Sequence, residues 1–118
     1  MNFLFVLTLL TIPLQQVRVV EWLTPVQYEF GDIHQGRPAA TEFRFKNISS
    51  VPFTIDNVRT SCSCTASEWD ETTIPPGGEG HIKIKYDARR PGHFRKKITV
   101  FFSTQRKAEK LYVSGYVE

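Results

Sequence analysis

From about Val26 onward, apolar and polar positions alternate with a period of two, which is the pattern of strands buried on one face. Phe43 and Phe45 alternate with Glu42, Arg44 and Lys46, and Ile82, Ile84 and Tyr86 alternate with Lys83, Lys85 and Asp87. Ile98, Val100 and Phe102 share one face. Leu111, Val113 and Val117 share another, interleaved with Tyr112, Ser114 and Tyr116. No long stretch carries the three-four-seven spacing of an amphipathic helix. Turn-forming residues separate the runs at Gly31-Asp32, Gly36-Arg37-Pro38, Asn47 to Pro52, Pro75-Pro76-Gly77-Gly78 and Pro91-Gly92. Strands are expected near 26–30, 40–48, 53–60, 63–69, 79–87, 93–103 and 107–117. About seven short strands with turns between them predict an all-β, immunoglobulin-like antiparallel β-sandwich. Parallel strands, buried on both faces, would read as unbroken apolar runs instead. Phe43, Phe45, Ile82, Ile84, Val100 and Phe102 are expected to form much of the core between the sheets.

The N-terminus has a different pattern. Phe3 to Leu14 holds nine apolar residues in twelve, with no charge before Arg18. That length suits the apolar centre of an export signal and falls short of the ~20 residues that span a bilayer. No Lys or Arg precedes the run, and no Ala, Gly, Ser or Cys occurs before Gly31 to mark a cleavage or lipidation point. The expectation is an apolar leader over residues 1–20, read as an export signal, and a sandwich domain over 21–118, with no transmembrane span. The other reading of the leader is an extra buried strand or helix of the domain.

Composition agrees with one packed domain. The 118 residues are 41% hydrophobic and include nine Phe, four Tyr and two Trp. Disordered chains lack that aromatic content. Fifteen Lys and Arg against twelve Asp and Glu give a net charge of +3, too small to imply a polyanionic partner. Antibody-type domains bridge their sheets with two cysteines far apart in sequence, beside a buried Trp. Here Cys62 and Cys64 are two residues apart, so that framework is absent, and neither Trp22 nor Trp69 takes its tryptophan's role.

Several motifs follow one another in a telling order: Phe30-Gly31-Asp32-Ile33, Phe43-Arg44-Phe45-Lys46-Asn47, Ile55-Asp56-Asn57-Val58, Ser61-Cys62-Ser63-Cys64-Thr65, Ile74-Pro75-Pro76-Gly77, Ile82 to Asp87, and a Gly-x-Phe-x-Lys stretch at Gly92 to Lys96. From about Phe30 to Val117 the chain resembles the bacterial domain of unknown function 1573. That family is similar to the immunoglobulin-like sandwiches of major sperm protein, pilus chaperones and cilia-associated domains. The resemblance implies this fold and an exported, cell-envelope setting, and it implies no reaction. The family's usual cysteine motif has Gly between the cysteines. Ser63 stands there in this chain, which argues against a role that needs positive φ.

Cys62 and Cys64 are the first candidate site. In an extended strand they would point to the same face, about 6.6 Å apart at Cα. Three readings stand: a labile redox disulfide, a soft-metal pair for copper or zinc completed by His34, His81 or His93, and a plain pair that is either two small buried hydrophobes or simply oxidised. Arg89, Arg90, Arg95, Lys96 and Lys97, with His93 among them, form a basic patch that could dock an anionic partner. Its plainer reading is a solvated hairpin tip whose charges blunt a sheet edge. The patch lacks the aromatic interleaving of RNA-binding sheets, and nucleic acid is disfavoured. No Gly-x-Ser-x-Gly elbow, phosphate loop or zinc-protease helix is present, so no enzyme is expected. Asn47-Ile48-Ser49 fits a glycosylation sequon that only a eukaryotic secretory pathway would use.

These readings lead to an expected role. The chain is read as an exported, non-catalytic binding or structural module of the cell envelope, without a cofactor. Its partner would be another protein or an envelope component, met through the loops Gly31 to Pro38 and Ile74 to Gly80 or at an open sheet edge. The alternative is a small thiol-redox or copper-binding protein acting through Cys62 and Cys64.

Overall fold

Each alternating run becomes a strand that buries its apolar side. The computed structural model describes residues 18–118, and the apolar run Phe3 to Leu14 lies outside the described residues. Eight strands follow in order: β1 (Val20–Trp22), β2 (Gln27–Ile33), β3 (Ala39–Asn47), β4 (Ile55–Thr60), β5 (Thr65–Trp69), β6 (Glu79–Tyr86), β7 (Gly92–Phe102) and β8 (Glu109–Val117). They form two four-stranded sheets, β1-β3-β6-β5 and β2-β8-β7-β4. No helix occurs among the described residues, so none there is long and apolar enough to cross a membrane.

The six expected core residues are all buried between the sheets. Phe45 meets Trp22, Phe53 and Phe102 at ring-centroid distances of 5.6, 6.2 and 5.2 Å, so four aromatic residues knit the two sheets together. A smaller cluster of Tyr86, Ala88, Phe94 and Val117 closes one end of the sandwich, with Phe30 packed against both. Within it the Tyr86 and Phe94 rings stack at 3.8 Å. Burial pushes the Tyr86 phenol above its ordinary pKa, and the neighbouring Asp87 charge adds to that, against a smaller opposing effect of Arg90.

The architecture departs from the expected one in three places. β1 is an additional strand, paired antiparallel with β3 from Val20↔Asn47 to Trp22↔Phe45. Its three residues are too few to show a period, and the expected boundary between residues 20 and 21 falls inside it. Second, β2 runs parallel to β8, while every other ladder is antiparallel. The chain reaches β2 by crossing from one sheet to the other, so path rather than pattern sets its direction. β2 is an edge strand with Gln27, Tyr28 and Glu29 all exposed, and it needs no second buried face. Third, Cys62 and Cys64 precede β5 in a tight turn, instead of sitting on an extended strand.

Asn47 shows why the end of β3 is fixed. Its fully buried amide donates to the carbonyls of Val51 (2.9 Å) and Ile74 (3.0 Å), and its Oδ1 accepts from the amide (2.9 Å) and hydroxyl (2.7 Å) of Ser49. All of its polar capacity is satisfied inside the fold, so the sequon asparagine is a structural residue.

Candidate functional site: a disulfide turn in a basic cleft

Cys62 and Cys64 are joined by a disulfide, with their Cα atoms 5.2 Å apart. That is shorter than the ~6.6 Å of two extended residues, so the bond and the turn go together. The amide of Thr65 donates to the Cys62 carbonyl (3.3 Å), and Thr60 Oγ1 donates to the same carbonyl (3.1 Å). Just past β6, the Asp87 amide donates to the Cys64 carbonyl (2.9 Å), and the Ser61 amide of the turn donates to the Lys97 carbonyl of β7 (3.2 Å). The turn is thus bonded to both sheets. Both cysteines are half-buried, which excludes the reading of two fully buried hydrophobes. Cys64 rests on the Tyr86–Phe94 cluster, and Thr65 Oγ1 lies 3.8 Å from its sulfur.

The disulfide lines a cleft of about 480 Å³ with Pro38, Lys85, Asp87, Arg89, Arg90 and Lys96. Three of the five residues of the basic patch therefore meet the cysteines, which the sequence separates by more than twenty positions. Arg95 and Lys97 lie on the other face of β7, where the Arg95 guanidinium stacks 4.5 Å from the Tyr112 ring centroid. The patch is therefore two surfaces. β7 is not an edge strand, but its first half overhangs β4, whose pairing ends at Thr60↔Ile98. The cysteine turn covers that overhang.

Lys96 and Ala88 shape the cleft. Lys96 shares the inward parity of β7 with the buried Phe94 and Ile98, and it is half-buried at the cleft where packing alone would place a hydrophobe. Ala88 is fully buried with φ +57°, a left-handed conformation that turns the chain after β6 and sets Arg89 and Arg90 beside the disulfide. Gly36 donates to its carbonyl (2.9 Å) and Gln35 Nε2 to that of Arg89 (3.0 Å), so the Gly31 to Pro38 loop buttresses the cleft. The Ile74 to Gly80 loop lies at the opposite end of β3, beside Asn47, and the two expected contact loops do not form one surface.

None of the histidines proposed as ligands lines the cleft. His34 is exposed in its loop, His93 packs against Tyr116 (4.7 Å), and His81 lies 3.3 Å from Asp70 and 3.6 Å from Glu42 on the outer face of the first sheet. Among the described residues no group of three or more His, Cys, Asp or Glu is placed to hold a metal.

A wider groove of about 1430 Å³ runs between β1 and the turn before β8, over Glu109. Glu109 was missed in the sequence, although its inward parity with Leu111 and Val113 marks a carboxylate on a buried face. It accepts from Trp22 Nε1 (2.9 Å), Gln105 Nε2 (3.1 Å) and Arg18 Nη2. Its polar contacts are all made within the fold, which gives it a structural part.

Comparison with curated proteins gives no match. Among solved structures, a Porphyromonas gingivalis protein of unknown function is similar, with 19% identity and a TM-score of 0.70. The match covers 83% of this chain and 46% of that one, so this chain spans less than half of that protein. The ASH/PapD-like domain 7 of human CEP192 matches over 100% of this chain and 96% of its own, at 11% identity and TM-score 0.71. A chain of the CsuC–CsuE chaperone–tip adhesion subunit pre-assembly complex of Acinetobacter baumannii matches at 11% identity and TM-score 0.61, covering 86% of this chain and 58% of that one. At such identities these likenesses establish the immunoglobulin-like fold. The family described as "Protein of unknown function (DUF1573)" matches residues 22–117, nearly the whole of the described sandwich, and the chain belongs to it.

Proposed function

We propose that the protein is an exported, non-catalytic module of the bacterial cell envelope that binds another protein by accepting an extended segment along β2. One observation carries this reading. Leu23, Val26 and Tyr28, 43%, 37% and 44% exposed, follow one another into β2, an edge strand that among the described residues has only β8 beside it in its sheet. An open edge offers unpaired backbone groups to an added strand, and exposed apolar side chains give that strand something to pack on. The fold shared with a chain of a chaperone–subunit complex supports this by analogy. The apolar run Phe3 to Leu14 supports export.

The test is affinity capture from envelope extract with the sandwich as bait, alongside a Tyr28→Lys variant that places a charge on the edge. Saturable capture of an envelope protein, lost in the variant while its melting temperature is kept, is the expected result. Capture that ignores the substitution, or no saturable capture in either redox state, would overturn the proposal. Export has its own check. Intact-mass measurement on fractionated cells is expected to find the chain in the envelope, and a full-length chain free in the cytosol would contradict it.

A further inference from the structure

We infer that the Cys62–Cys64 disulfide is a thiol-exchange site and that the cleft around it selects small anionic thiols, those carrying a carboxylate or sulfonate. This site lies in the cleft shared by the cysteine turn, the end of β6 and β7, and does not rest on strand addition at β2. Three observations converge. The disulfide is half-buried at the wall of a cleft large enough for a small molecule. Lys85, Arg89, Arg90 and Lys96 line that cleft against one carboxylate, Asp87, which pairs with Arg89 at 3.6 Å, so the lining keeps an excess of positive charge. Lys96 occupies an inward position between two buried apolar residues, and Ala88 holds a left-handed conformation that brings two of the arginines in. Packing alone would place a hydrophobe at Lys96, and the turn at Ala88, held by its burial and by Gly36, sets Arg89 and Arg90 on the same cleft.

The geometry also names a leaving group. The amide N–H of Cys64 donates to Cys62 Sγ at 3.0 Å, so a thiolate formed on Cys62 has a hydrogen-bond donor already in place. The incoming thiolate attacks Cys64 Sγ and forms a new S–S bond. The Cys62–Cys64 bond breaks, and its electron pair leaves on Cys62. A second molecule of the thiol, deprotonated, attacks the thiol-derived sulfur of the mixed disulfide. It displaces Cys64 as thiolate and releases the oxidised thiol as its own disulfide. The protein gains two electrons and, as the two thiolates are protonated, two protons, while two thiols become one disulfide. The exchange is stoichiometric, and the cations favour both approach of the anion and the departing thiolates.

The oxidised full chain is treated with 2-mercaptoethanesulfonate, 2-mercaptoethanol or cysteamine, which are anionic, neutral and cationic. Free thiols are trapped by alkylation and counted by intact mass. A disulfide-closed peptide of the sequence Ser-Cys-Ser-Cys-Thr is run in parallel to normalise for the intrinsic reactivity of each thiol. The expected result is a sulfonate-to-cysteamine rate ratio at least about tenfold higher for the protein than for the peptide. That excess should fall with added salt, and in an Arg90→Gln/Lys96→Gln variant. The salt series uses the unaltered chain and stands whether or not the variant folds. A protein ratio equal to the peptide's, an excess that salt does not diminish, or a disulfide inert to millimolar thiol until the chain is denatured would each overturn the inference.

Discussion

The ring of Phe45 lies directly over Gly80, its partner across the β3–β6 ladder. A Cβ on Gly80 would fall within the space of that ring and 2.9 Å from Ile74 Cδ1. The same arrangement recurs in the other sheet. Phe94 covers its partner Gly115, where a Cβ would meet ring atoms at 2.9 Å and the Gly31 carbonyl at 3.0 Å. Each sheet therefore carries one large aromatic folded over a glycine. That lets the rings lie flat in the core instead of standing away from the strand.

Gly80→Ala is therefore expected to destabilise the sandwich, although alanine suits a strand no worse than glycine. The added methyl group must displace the Phe45 ring, which is itself wedged against Phe53 and Phe102, and such overpacking costs about 1–3 kcal/mol. Urea unfolding would measure it. A variant as stable as the parent would show that the ring has room to move.

Phe45→Ala should cost more, about 3–5 kcal/mol, because it removes the transfer energy of a fully buried ring and leaves a cavity among Trp22, Phe53 and Phe102. Replacing both Cys62 and Cys64 by Ser should cost about 1–2 kcal/mol at most, since a disulfide closing so short a loop restrains little of the unfolded chain. The two variants are compared in the same unfolding experiment. If the double serine variant unfolds more readily than Phe45→Ala, the cysteines hold the fold together, and the exchange role loses its basis.

The strands that were plain in the sequence are those with one wet and one dry face. β3, β6, β7 and β8 lie within about two residues of their expected bounds, because burial along them alternates almost without exception. β1 was not visible, since three residues carry no period, and the direction of β2 depends on where the chain crosses between sheets. The candidate site was legible only in pieces. Cys62, Cys64, Arg89, Arg90 and Lys96 each stood out, yet nothing local shows that the turn after β4 folds onto the overhang of β7. Lys85 and Asp87 read as the wet face of a strand. One signal was available: the parity Phe94-Lys96-Ile98 places a cation on a buried face, as Glu109-Leu111-Val113 does for a carboxylate.

Asn47→Asp tests the polar centre of the loop that joins β3 to β4. The two residues have the same shape, but a carboxylate has no hydrogens to donate to the carbonyls of Val51 and Ile74 and sets negative charge against both. A buried carbonyl left without a donor costs about 1–3 kcal/mol, and two are affected here. The variant is expected to lose at least about 2 kcal/mol in urea unfolding, and more at pH 7 than at pH 4, where the carboxyl regains a proton. Full stability would mean that water reaches the loop.

Glu109 gives the fold a pH dependence of definite sign. Burial alone would raise its pKa, but hydrogen bonds from Trp22, Arg18 and Gln105, with the Arg18 charge, outweigh burial and hold the carboxyl below its ordinary value. A carboxyl depressed in the folded state stabilises fully above its unfolded pKa of about 4.3, and that contribution drains away as pH falls through the lower folded value. Arg18 is mostly exposed, so its share is screened by solvent and the effect rests chiefly on the indole and amide donors. Glu109→Gln keeps the size of the side chain and an oxygen for Trp22 but has no charge to lose. The parent is expected to exceed the variant by about 1–2 kcal/mol at pH 7, consistent with hydrogen bonds to a charged acceptor, and the gap should close towards pH 3 as Glu109 protonates. Unfolding both chains in urea at pH 7, 5 and 3 measures that gap directly. A difference that stays constant across the series would mean that the carboxylate charge at this position does not contribute to stability.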